Sequence, residues 1–307
     1  MALTSHRQPP TIDPVAAARW ERMAALDAPW LHEEVGLRME QRLQWIKHSP
    51  ATWADWDPQR GGRKAGAAIR QRYAKATIHA LNPAGWPPAT ATPRATRWWQ
   101  ALNWRAQATE RAPQPMPEAG VDLLWANMLL HQQADPQALM AGWHQAIAVD
   151  GFLMFSCLGP DSMAALRQLY ARLGWPAPAH ELTDMHDWGD MLVQAGFAEP
   201  VMDMERISLS FSSPQALLQE LRGLGRNLHV ARFQALRARG WSERLRQEIE
   251  QSLPRDAESD HLTLVFEIIY GHAYKPRPRL KVAPETSLSM DEMRAALRQG
   301  RMSFPER

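Results

Sequence analysis

The sequence predicts an α/β fold: a mostly parallel sheet covered on both faces by helices. Three observations carry that expectation. Short apolar runs such as "VDLLWAN" (121–127) and "GFLMFSCL" (151–158) are continuous rather than alternating, as strands buried on both faces require. Helical patterns of ten or more residues separate these runs, the rhythm of βαβ units. Near the end, "EPVMDMERISLSF" alternates with period two, as an edge or antiparallel strand does.

The elements follow in order. Residues 15–47 read as helix, with Trp30, Leu31, Val35, Leu37, Met39, Leu43 and Ile46 on one face and Glu33, Glu34, Arg38 and Arg42 on the other. Pro29 opens the longer of two helices there. Strands are expected at 51–56 and 76–81, with a helix over 65–74 between them. Residues 82–120 are rich in Pro, Ala and Thr and read as loop, with a helix around Trp98–Gln107. After the strand at 121–127, Asp135 and Pro136 are the cap and first residue of a helix to 147. The strand at 151–158 precedes a helix over 159–173. A further helix ends at Gly196, a C-cap candidate, before the alternating strand. Helices at 214–223, 228–239 and 242–252 lead to a last strand, "HLTLVFEIIYGHAY" (261–274). The stretch beyond Lys275 is Pro-rich and charged and reads as a mobile tail.

Composition narrows the function classes. At 307 residues, with 45% hydrophobic and 22% charged content, the chain has the make-up of a globular protein with a sizeable core. No apolar window is long enough for a membrane span, and "MALTSHRQPPTIDP" lacks the core of a signal peptide. The single cysteine, Cys157, excludes an internal disulfide and a cysteine metal cluster, which together predicts a cytoplasmic setting. Net charge is only +2, but ten Lys/Arg fall between Gln59 and Arg111 against one acid, Glu110. That basic 59–111 stretch suits an anionic partner; no nucleic-acid motif accompanies it, so nucleic acid ranks last. No histidine pair has metal-ligand spacing. His180 and His186 fall in a surface loop and a helix start, and His272 reads as structural. Cys157, in a buried strand without basic neighbours, reads as an inert core thiol.

"TWADWDPQRGGRKAG" (52–66) has the outline of a strand, a glycine loop and a helix N-terminus, the arrangement that holds nucleotide cofactors. Several strings together extend this. "APWLHEEVGLRMEQRL", "VDLLWANMLLHQQADPQALMAGWHQAIAVDGFLMFSCLGPDSMAALRQLY", "DMHDWGDMLVQAGFAEPVMDMERISLSF" and "FEIIYGHAYKP" cover nearly the whole chain. The sequence resembles the class I S-adenosylmethionine (SAM) dependent methyltransferases, in the group that contains the malonyl-carrier-protein O-methyltransferase of biotin synthesis (BioC-like).

The resemblance implies a seven-stranded Rossmann-like sheet with a final antiparallel strand. It further implies N-terminal lid helices over 1–48, a methyltransferase domain over 49–275 with a helical insertion at about 213–255, and a tail at 276–307. It implies SAM as cofactor and an acidic acyl carrier protein as partner. On the family pattern Asp57 falls on the acid ending the first strand, and Gln59, Gly61 and Arg63 on the three glycines of the loop. Asn82 falls on the ribose acid and Asn127 on the position facing the methyl group; Trp30 belongs to the lid. No catalytic side chain beyond positioning is implied, since a carboxylate acceptor needs no general base. Only the middle glycine of the loop survives, Arg63 sets a cation near a sulfonium, and Asn82 replaces an acid. The expectation is therefore a methyltransferase acting on a carboxylate. The alternative is a repurposed member that keeps the fold but binds SAM weakly or not at all. A hydroxylase role, like that of a related mitochondrial complex I assembly factor, is a third reading on the terminal "YGHAYKP".

Overall fold

The computed structural model describes residues 11–23, 28–80, 114–233, 235 and 237–278. Asn82, the expected helix around Trp98–Gln107, most of the basic stretch and nearly all of the tail lie outside them.

Two helices come first, α1 (Pro14–Met23) and α2 (Trp30–Arg42), divided at Pro29 as the sequence predicts. There follow β1 (Thr52–Asp55), α3 (Arg63–Arg72), β2 (Thr77–Ala80), β3 (Gln114–Pro115), β4 (Val121–Ala126), α4 (Pro136–Ala146) and β5 (Ile147–Leu158). The last third holds α5 (Ala164–Arg172), α6 (Met185–Gln194), β6 (Ala198–Phe211), α7 (Pro214–Leu224), α8 (Arg239–Ser252) and β7 (Leu262–Tyr274).

One mixed sheet has the order β3-β2-β1-β4-β5-β7-β6. Six of its strands have four or more residues, and β3 contributes a two-residue edge. β1 pairs in parallel with both β2 and β4, so the chain leaves β1 towards one edge and returns on its other side. That reversal makes the carboxyl ends of β1 and β4 the topological switch point, where open α/β sheets bind ligands. β7 runs antiparallel between β5 and β6.

The pleat divides the core into two layers. Trp53, Leu123, Trp125 and Phe152 face α2 and α3, packing on Leu31, Val35, Met39 and Ile69. Ala54, Leu124, Ala126 and Leu153 face α4 and α6, packing on Met140, Trp143, Trp188 and Leu192. The polar face of α2 is not simply solvated. Arg38 reaches Glu205 at 3.1 Å, and Arg42 reaches Asp203 at 2.9 Å while lying 3.7 Å over the Tyr270 ring. Tyr270 Oη donates to Glu205 Oε1 at 2.5 Å, so α2 is pinned to the β6–β7 edge.

Two expectations need correction. The predicted helix over 228–239 is absent among the described residues. Its backbone pairs instead with the segment before α1: Asp13 N donates to Leu228 O, Val230 N to Thr11 O, and Ile12 bridges His229. Asn227 Oδ1 also accepts from His229 N, a local turn that competes with helix. The helix predicted over 159–173 starts only at Ala164, because the preceding turn is docked on β7. Ser162 Oγ donates to Glu267 O, and Met163 N donates to Val265 O.

Candidate functional site

β1 ends at Asp55, and the chain then turns tightly on Asp57. Gly61 N donates to Asp57 O at 2.8 Å, and Arg60 N donates to Asp57 Oδ1 at 3.2 Å. A Cβ on Gly61 would stand 2.8 Å from Asp57 O. Gly62 has φ +105, where an L side chain is strained, and α3 starts at the next residue. The two glycines present thus occupy the two places that need them.

The open N-terminus of α3 is satisfied from another helix. Glu33 Oε1 accepts from Arg63 N at 3.0 Å, and Glu33 Oε2 accepts from Lys64 N at 2.9 Å. An anionic cap at a helix N-terminus is favourable through both the bonds and the dipole. The Arg63 side chain is exposed. It is not among the residues that line the cleft described below.

Asn127 follows β4 and is 3% exposed. Its Nδ2 donates to His32 O at 2.7 Å and to Gly61 O, and its Oδ1 accepts from Ser156 Oγ at 2.6 Å. Ser156 Oγ in turn accepts from Met128 N. All the polar atoms of this amide are therefore engaged within the protein.

His32 is the buried group that sequence reading passed over. Its Nδ1 lies 2.8 Å from Arg60 O, a carbonyl that can only accept, so Nδ1 carries the proton. Burial pushes its pKa down to about 4, leaving a neutral ring. Nε2 is then an acceptor, buried and without a hydrogen-bond partner. Asp57 Oδ2 is likewise buried without a hydrogen bond, Arg60 Nε standing 3.5 Å away. Both residues line one narrow cleft of about 20 Å³ with Asn127, Trp20, Gln132 and Leu224.

Trp20 from α1 covers this cleft. Its Nε1 donates to Gln132 Oε1 at 2.7 Å, Gln132 Nε2 donates to Leu224 O at 3.0 Å, and Arg60 Nη2 donates to Glu21 O at 2.8 Å. Trp30, the expected lid residue, is 54% exposed and does not line the cleft. A neighbouring, larger cleft of about 640 Å³ carries Asp135, Glu181, Asp187 and Asp190. His180, expected in a surface loop, is 6% exposed, with its Nε2 at 2.7 Å from His131 O. His272 is half-buried on β7, and Cys157 is fully buried with its thiol pKa pushed up by desolvation. No group of three or more metal-ligating side chains occurs among the described residues.

The residues fit the cofactor that the sequence implies at one end. Two orphaned acceptors, one of them a carboxylate oxygen, are suited to a buried cationic donor such as the α-ammonium of SAM. Asn82, expected on the ribose side, lies outside the described residues. Its sequence offset from Asp57 matches the β1–β2 pairing, where Thr52 meets Thr77 and Asp55 meets Ala80.

The strand order, with an antiparallel β7 and a cleft at the carboxyl ends of β1 and β4, defines a class I methyltransferase fold. No protein-family model matches the sequence. Curated relatives do. The malonyl-acyl-carrier protein O-methyltransferase of Gallionella capsiferriformans is 35% identical over 255 residues, 81% of this chain and 86% of that protein. The one from Laribacter hongkongensis is 35% identical over 87% of this chain and 89% of its own length. The chain belongs to this O-methyltransferase family.

Two stability predictions follow from the geometry. Asn127→Asp sets a carboxylate against two carbonyl oxygens and should cost at least ~2 kcal/mol in urea unfolding; an unchanged midpoint would show that the hub bears no load. Asp55 is raised to about 8, first by burial and then by the Asp57 carboxylate. Its folded form holds a proton that the unfolded chain releases near pH ~3.9, so its contribution is lost as pH rises towards about 8. His32, depressed to about 4, acts with the opposite sign, but only below its unfolded value near ~6.5. Stability should therefore fall between pH ~6.5 and ~8, and Asp55→Asn should flatten that fall in urea titrations.

Proposed function

We propose that this protein transfers a methyl group from SAM to the free carboxylate of a malonyl thioester carried on an acyl carrier protein. The observation that carries this reading is family membership together with a closed cleft of orphaned acceptors at the switch point. SAM supplies an activated methyl group on a sulfonium. Its transfer to a carboxylate annihilates opposite charges, so the site must position and dehydrate rather than hold a proton. Asp57 and His32 receive the ammonium end, Gly61 lets the loop come close, and Asn127 fixes the loop against β4. Asn82 takes the ribose side.

Residues 1–48 form the lid over the 49–275 domain, with α7 and α8 inserted before the last strand. A cleft of about 20 Å³ lies far below the roughly 300 Å³ of a small-molecule pocket. Ligand entry on this reading requires α1 to lift, breaking the Trp20–Gln132 and Arg60–Glu21 bonds. A single buried thiol suits a reducing cytoplasm. The non-catalytic reading rests on the lost glycines, the Arg63 cation and Asn82 in place of an acid; against the first of these, the bonds around Asp57, Gly62 and Glu33 give the loop a closed shape without the missing glycines.

Calorimetry should detect SAM binding to the full chain, and His32→Leu should weaken it by about 5- to 50-fold through loss of one buried acceptor. Equal affinity in the variant would remove His32 from the site. Incubation with malonyl-acyl carrier protein and methyl-labelled SAM should give a base-labile methyl ester on the carrier. Labelled SAM left unconsumed over hours would sink the proposed reaction.

A further inference from the structure

From Arg222 to Arg246 the chain carries seven arginines and one acid, Glu243. On α8 each arginine has an acid at i+4, Glu243 after Arg239, Glu248 after Arg244 and Glu250 after Arg246, but Glu250 pairs with Arg255 instead. Here Arg232 pairs with Asp13 at 2.7 Å and Arg244 loosely with Glu248 at 3.7 Å. Among the described residues, Arg222, Arg237, Arg239 and Arg246 have no carboxylate partner.

Several of these guanidinium groups lie over aromatic rings instead. Arg237 sits 4.3 Å from the Phe233 ring and 3.9 Å from the Trp241 ring, and Arg244 lies 5.7 Å from that of Trp175. Arg226 lies 5.0 Å from Trp20. Phe233 is 48% exposed and Val230 is 45% exposed. Uncompensated like charge weakens a fold, whereas arginine and aromatic rings together are the composition of protein-binding surfaces.

The position of this surface is as telling as its charge. Gly223 and Leu224, between Arg222 and Arg226, are part of the cleft wall, and Trp20 under Arg226 is its cover. The arginines therefore start at the rim of the opening through which an acyl group would enter. The larger neighbouring cleft, with its four carboxylates, would repel an acidic partner.

We infer that the Arg222–Arg246 surface is the docking site for an acidic acyl carrier protein. Its arginines meet the carrier's carboxylates, so that the thioester arrives between Trp20 and Leu224. This rests on the reading of the substrate as a carrier-bound malonyl thioester. It moves the docking contact from the 59–111 stretch to the helical insertion.

The test uses the full chain with Arg222→Glu, Arg239→Glu and Arg246→Glu combined, three side chains that neither line the cleft nor pair with a carboxylate. Fluorescence anisotropy with labelled holo-acyl carrier protein should show binding by the wild type that weakens with added salt. The triple variant should bind about tenfold or more weakly. In turnover, KM for the malonyl carrier should rise by a similar factor at little-changed kcat. Malonyl-coenzyme A, which presents the same arm without the protein, should be methylated within about twofold of the wild-type rate. Carrier binding unchanged in the variant, or absent from the wild type, overturns the assignment, as does tighter binding of a short DNA duplex than of the carrier. An equal loss towards malonyl-coenzyme A at an unchanged melting temperature also overturns it. If the triple variant does not fold, Arg239→Glu alone is read against the same titration, with about threefold weakening expected and no change overturning the inference. If the wild type methylates neither thioester, the proposed reaction fails, while anisotropy still decides the docking surface.

Discussion

The amide of Asn127 is the contact on which the site depends. Its two donors hold the carbonyls of His32 and Gly61, and its oxygen holds Ser156. One side chain thus joins the start of α2, the loop after β1, the end of β4 and the body of β5. At a switch point β1 and β4 send their chains apart, and a gap opens between them that something must close. Here it closes on a buried amide, whose bonds are each worth roughly 1 kcal/mol when made and more when left unsatisfied. The tight approach of α2 at Gly36 has the same origin. A Cβ there would stand 2.8 Å from that of Ala65 and 3.0 Å from Asn127 Nδ2.

With α2 held so close, its polar residues serve the loop. Glu33 caps α3 because Asn127 brings the first turn of α2 to the glycines. The loop needs fewer glycines than the family pattern has, since an acid from a second helix supplies what a purely local turn would have to find in its own backbone. Gly62 keeps the one left-handed φ, and Gly61 the one close approach. Of the altered positions, Gln59 is half-buried and Arg63 is exposed.

Much of this was readable from the sequence. Continuous apolar runs marked β4 and β5, alternation marked β6, and Asp135–Pro136 marked the start of α4, because each is a local signal. Asp57 lies at the cleft but two residues past the end of β1 at Asp55, rather than as the last residue of the strand. What was missed depends on tertiary contact. His32 and Glu33 look like ordinary residues of an amphipathic helix; only the packing of α2 at Gly36 turns one into an orphaned acceptor and the other into a cap. Trp30, at the start of α2, is exposed, while Trp20, within α1, lies against the cleft, and nothing local in the sequence marks which of the two will meet it. The 228–239 segment has helix-forming composition, yet its backbone finds partners in the strand-like segment before α1, a competition invisible to local propensity.

Charge is partitioned by depth, and that partition fits a reaction in which opposite charges disappear. At the cleft the near groups are the neutral His32 imidazole, the Asp57 carboxylate and the Arg60 guanidinium 3.5 Å from it, while Arg63 is exposed and not part of the lining. Below it Asp55, raised to about 8, is largely protonated at neutral pH, so it adds little negative charge beside Asp57. Further arginines gather over Arg222–Arg246. On the proposed reading an anionic acyl group is attracted from outside by those arginines and enters a closed space in which Asp57 and Arg60 offset each other. Electrostatic interactions there are stronger than in solution, and the groups that order the ligands are already fixed by Asn127. On that reading, a closed interior whose own charges are paired favours the collapse of an ion pair into an ester over its separation, without a side chain that must gain or lose a proton.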